Sequence, residues 1–122
     1  VAKTKGSVNA DQTFESANTT YVVTATQLDY FIDGVKHASI TLKRGATYTF
    51  DVSDFGNAHP FRFSTTPDGT FGGGTAFNDG VTYVDEGTIT WTVPENLSAS
   101  VMYYYCTIHA GMAGSGVISI TD

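Results

Sequence analysis

From Tyr21 onward, apolar and polar positions alternate at a period of two in one short run after another, and no stretch shows the 3.6-residue apolar spacing of an amphipathic helix. The clearest runs are Thr47-Tyr48-Thr49-Phe50-Asp51-Val52 and Thr88-Ile89-Thr90-Trp91-Thr92-Val93. Successive side chains of a strand point to opposite faces, so Tyr48, Phe50 and Val52, and likewise Ile89, Trp91 and Val93, are expected inward. Further strands are expected over Tyr21–Thr26, Leu28–Ile32, Val35–Leu42, His59–Ser64, Val81–Val84, Val101–Cys106 and Val117–Ile120. Turn chemistry separates them: Asp33-Gly34 signals a tight hairpin, Lys43-Arg44-Gly45 a reversal, and Pro94-Glu95-Asn96 a stop. Val1–Thr19 is polar and weakly patterned, and reads as an edge strand or extended arm. Thr65–Asp79 is a loop around Gly72-Gly73-Gly74; no Gly-Lys-Ser/Thr follows, so it is not a phosphate cradle. About eight short strands with closely spaced turns predict one all-β domain over residues 1–122, a Greek-key β-sandwich.

Composition narrows what such a sandwich does. Six Lys plus Arg stand against twelve Asp plus Glu, a formal net charge of −6, and phosphate binding needs the opposite balance, so nucleic acid is an unsuitable partner. No apolar run approaches the length of a membrane span. Residues 1–11 carry no charged start followed by a long apolar stretch, so the chain shows no signal peptide. A single cysteine forms no internal disulfide, and the core, with eight Phe, seven Tyr and one Trp, has to supply the stability.

That cysteine lies in the most informative segment, Cys106-Thr107-Ile108-His109-Ala110-Gly111-Met112. A lone cysteine is usually a small buried hydrophobe. Composition alone, however, places a histidine at +3 and a methionine at +6 about once in 2500 chains of this make-up. A thiolate, an imidazole and a thioether within seven residues, completed by a second imidazole, make the donor set of a blue-copper centre. His59 at the head of a strand is the candidate second imidazole. Parity puts it on the face of Phe61 and Phe63, and puts Met102, Tyr104 and Cys106 on one face of their strand. His37, among polar residues of another hairpin, reads as a solvated surface histidine.

On these residues the chain resembles the cupredoxins, small blue-copper β-sandwich proteins. The Cys106-x-x-His109-x-x-Met112 loop is similar in spacing to that of amicyanins, and the 47-residue interval from His59 to Cys106 is similar to that of plastocyanins. The resemblance implies His59, Cys106 and His109 as equatorial ligands and Met112 as the axial ligand of one copper ion cycling between Cu(I) and Cu(II). It implies a non-enzymatic carrier that passes single electrons to redox partner proteins through the exposed edge of His109, working outside the cytoplasm. Docking is expected on the loop from Ala110 to Gly114, with the Pro67–Gly80 loop beside it. Asp54, Asp79, Asp85 and Glu86 would steer a partner with a basic surface. The alternative is an open site, with Met112 off the metal and water in its place, that binds or oxidises a small molecule such as nitric oxide.

One position departs from the resemblance. Pro60 follows the upstream histidine and has no N–H to donate toward the thiolate sulfur, where cupredoxins commonly have one. More electron density would stay on sulfur, favouring Cu(II) and lowering the potential. Zinc competes for a Cys-His-His set, and colour separates the two metals. One thiolate excludes a dinuclear CuA centre, and three histidines are too few for an additional copper cluster. A metal-free adhesion module would leave the cysteine-loop spacing unexplained, and a cysteine protease would need a helix context that is absent.

Overall fold

The computed structural model describes residues 18–122, so the arm expected over Val1–Thr19 lies outside the described residues except for its end, which opens the first strand. Ten strands follow in chain order: β1 Asn18–Ala25, β2 Tyr30–Ile32, β3 Val35–Lys36, β4 Ile40–Lys43, β5 Thr47–Asp51, β6 Phe61–Ser64, β7 Val81–Asp85, β8 Thr88–Thr92, β9 Val101–Cys106 and β10 Ile118–Thr121. They form a six-stranded sheet, β3-β2-β1-β5-β8-β7, and a four-stranded sheet, β4-β10-β9-β6. The fold is therefore the expected all-β sandwich.

The alternation read from the chain is what closes it. Tyr48, Phe50, Val52, Ile89, Trp91 and Val93 are all buried, and they meet Phe61, Phe63, Met102 and Tyr104 from the second sheet. Aromatic rings fill the interior in offset and edge-on contacts, such as Phe63 on Trp91 at 4.4 Å and Phe50 against Phe63 at 5.1 Å between centroids. Such pairs add stability beyond the area they bury. The indole N–H of Trp91 donates to the Asp79 carbonyl at 3.0 Å, so no polar atom of that ring is left unpartnered.

The Asp33-Gly34 hairpin forms as expected, with both residues at positive φ (50° and 81°), the turn that matches strand twist. The strand expected over Val35–Leu42 is broken. His37 takes φ 53°, in the left-handed region, and the chain leaves the six-stranded sheet as β3 and enters the four-stranded one as β4. Two pairings are parallel, β1 with β5 and β4 with β10, where the sequence pattern carried no sign of strand direction. Short 3-10 turns occupy Gly56–Ala58 and Gly69–Gly72 inside segments expected to be plain loop. Gly69 is buried, at φ 53°, with its Cα against the Tyr105 ring, so a side chain there would collide with the phenol. No helix among the described residues is long and apolar enough to cross a membrane.

Candidate metal centre

β6 and β9 are antiparallel neighbours, and their register pairs Phe61 with Cys106. The same register continues past the strand ends, where the Thr107 N–H donates to the Pro60 carbonyl at 3.2 Å. His59, two residues before Phe61, is thereby brought level with the loop that follows Cys106. His59 Nδ1 and His109 Nδ1 lie 3.1 Å apart, and Cys106 Sγ lies 3.8 Å from His109 Nδ1. The ligand atoms of His59, Cys106 and His109 all fall within 4.8 Å of one another. Donors bound at about 2.0–2.3 Å to one ion stand roughly 3.3–3.8 Å apart, so the three suit a single shared metal.

The donors differ in exposure. Cys106 is fully buried, His59 half-buried, and His109 exposed. Burial lowers the pKa of His59, and the neighbouring charge of His109 lowers it further, which favours the neutral ring that a metal requires. Met112 is fully buried and belongs to the same apolar cluster as Cys106. One thiolate and two imidazoles fit copper in either oxidation state: soft sulfur suits Cu(I) and imidazole nitrogen suits Cu(II).

Three elements that the sequence reading passed over hold this arrangement. Tyr30, fully buried at the start of β2, donates its hydroxyl to the His59 carbonyl at 2.7 Å and its backbone N–H to the Met112 carbonyl at 2.8 Å. Burial pushes its phenol far above the usual range, and the adjacent Cys106 thiol adds to the effect. Phe55 packs between Tyr30 and His59, 5.4 and 6.1 Å between ring centroids. Asp68 receives the Gly111 N–H on both carboxylate oxygens, at 3.0 and 3.2 Å, fastening the loop between His109 and Met112. The inward parity of Tyr30 is readable from Leu28-Asp29-Tyr30-Phe31-Ile32; the partner of its hydroxyl, 29 residues away, is not.

His37 is not a solvated surface group. Its Nε2 lies 2.8 Å from Asp29 Oδ1, and its ring packs against Gly114 of the loop that follows Cys106, in the fold break between β3 and β4. The expected docking loop is also only partly outward: Ala110, Gly111 and Gly114 are exposed, but Met112 and Ala113 are buried, and the large exposed apolar side chain next to His109 is Ile108.

Solved structures resemble this architecture. Rusticyanin from Thiobacillus ferrooxidans matches with a TM-score of 0.55 and 20% identity, over 88% of this chain and 80% of that one. A rusticyanin variant with a methionine changed to glutamine gives 0.53 and 20% over the same shares. Structures of rusticyanin with a serine changed to aspartate and a methionine changed to leucine give 0.53 and 21%, over 95% of this chain and 86% of that one. The fold is cupredoxin-like. No protein-family model and no curated protein sequence matches the chain.

Proposed function

We propose that this protein is a mononuclear type 1 copper protein that carries single electrons between redox partners outside the cytoplasm. The observation that carries the reading is the convergence of His59, Cys106 and His109 at one end of a cupredoxin-like sandwich. When bound, copper supplies a one-electron couple between Cu(I) and Cu(II).

The chain's own residues do the rest. Cys106 presents its sulfur from a fully buried strand end, out of reach of bulk water. His59 is held through its carbonyl by Tyr30 of the other sheet, and at its ring by Phe55 of the loop before β6. His109 reaches the surface beside exposed Ile108 and Ala110, giving an outer-sphere exit and a small apolar contact suited to a weak, brief partner. The short loop, similar in spacing to that of amicyanins, keeps Cys106, His109 and Met112 close in sequence. Burial of Met112 and the hydrogen bond on its carbonyl favour the closed carrier over a site open to nitric oxide.

A basic partner surface fits the charges. Asp54 binds the Ala25 N–H and the Asp85-Glu86 turn lies against Gly56, so these acids sit at the His59 end of the sandwich, whereas Asp79 lies at the opposite end beside Trp91. Titration of the metal-free protein with Cu(II), followed by visible absorption and electron spin resonance, tests the proposal. One equivalent of copper should give an intense visible band that azide leaves unchanged. A colourless product would refute the copper centre, and a band shifted by azide would favour the open site.

A further inference from the structure

We propose that Tyr30 is the positioning residue of the metal centre, a clamp from the opposite sheet that sets where His59 stands relative to the cysteine loop. The inference rests on the copper reading and adds a residue to it. His59 precedes β6 and Met112 precedes β10, both in the four-stranded sheet, yet neither carbonyl is tied down within that sheet among the hydrogen bonds at this end. Both go to one residue of the six-stranded sheet. The Tyr30 hydroxyl donates to the His59 carbonyl at 2.7 Å, and the Tyr30 N–H donates to the Met112 carbonyl at 2.8 Å. The phenol has little freedom to move: its ring lies 5.1 Å from Phe61, 5.4 Å from Phe55 and 6.2 Å from Tyr104, and the side chain is wholly buried. Phe61 in turn pairs with Cys106 across the strands.

Position matters because the two oxidation states ask different things of His59. Cu(II) favours a full set of imidazole nitrogens, and Cu(I) tolerates low coordination. A hydrogen bond that holds His59 in place therefore stabilises Cu(II) more than Cu(I). Removing it takes from the partly buried His59 carbonyl its phenol donor and lets the imidazole shift.

Tyr104 provides an internal control. It is also fully buried and also donates its hydroxyl to a carbonyl at 2.7 Å, but that carbonyl belongs to Ala38, which is not a ligand. Tyr30→Phe and Tyr104→Phe each delete one buried hydroxyl and should lower the melting temperature of the metal-free protein to a similar degree. Only Tyr30→Phe should weaken Cu(II) binding, by about tenfold with Cu(I) binding unchanged. That ratio corresponds to a potential raised by about 59 mV. It should also move the visible band and the copper hyperfine splitting.

If Tyr30→Phe does not accumulate in folded form, 3-fluorotyrosine placed at position 30 keeps the shape and strengthens the donor. It should shift the potential downward. A blue wild type whose band, hyperfine splitting and potential are unaffected by either change at position 30, or are moved equally by Tyr104→Phe, overturns the role of Tyr30. A wild type that takes up no copper overturns the copper centre itself, and the clamp with it.

Discussion

The two ends of the sandwich are held in different ways. At the end away from the cysteine loop, one charged side chain crosses the gap: Arg44 donates through Nε to the Leu97 carbonyl at 2.8 Å and through Nη2 to the Ala99 carbonyl at 3.1 Å, with Asp122 at 2.9 Å from Nη1. At the other end, several groups hold the segments that carry the candidate donors: Tyr30 bonds the His59 and Met112 carbonyls, Asp68 bonds the Gly111 N–H, and the His37–Asp29 pair packs against Gly114. The first arrangement closes the fold. The second restrains the backbone on either side of the candidate donors, through many partners spread over the chain.

Substitutions that separate position from stability test this division. The largest effect is expected at Cys106: Cys106→Ser should abolish the visible band entirely on addition of Cu(II), while circular dichroism still reports the β-sandwich. Retained colour would break the assignment of the thiolate. Next comes Gly69→Ala, which forces a Cβ into the Tyr105 ring at a left-handed φ. Backbone strain and overpacking together should cost about 3 kcal/mol in chemical denaturation. Because Gly69 adjoins Asp68, copper affinity should fall as well; stability lost with no effect on copper would detach the Asp68 contact from the site.

Arg44→Ala should cost less, about 2 kcal/mol, or roughly 8 °C in melting temperature, since it orphans two carbonyls while the exposed Asp122 pair contributes little. The spectrum of the copper-loaded protein should not change. A spectral shift would mean that the two ends are mechanically coupled. The smallest effect is expected from Pro60→Ala, which restores the backbone N–H that residue 60 lacks. The potential should rise by on the order of 60 mV, a tenfold change for a one-electron couple, with stability nearly constant. An unchanged or lower potential would show that the missing donor at residue 60 does not act on the sulfur.

Part of the site was legible because its donors are close in sequence. Cys106, His109 and Met112 span seven residues, and the strand ending at Cys106 ran to the residue expected. Parity placed Phe50 and Trp91 inside, and it put Met102, Tyr104 and Cys106 on one face, which is the buried one. Tyr105 was missed as a buried ring because parity assigns it to the outer face of the sheet; it is covered by the 3-10 turn at Gly69, and a fold-back of a glycine-rich loop leaves no periodic trace. His37 was misread for a similar reason. Its sequence neighbours are polar, whereas its actual surroundings, Asp29 and Gly114, come from other segments.

The order of apolar and polar residues by itself determined that the chain would be strands and not helices, which residues would face the core, and that three soft donors would sit on one short loop. These are local properties, set by side-chain direction along a strand and by turn chemistry. Only the tertiary structure decided the direction of the strand pairs, the passage of the chain between sheets at His37, and the meeting of His59 with the cysteine loop under Tyr30. Those outcomes depend on register between strands and on hydrogen bonds reaching 29 residues and more along the chain, which no pattern within a single strand encodes.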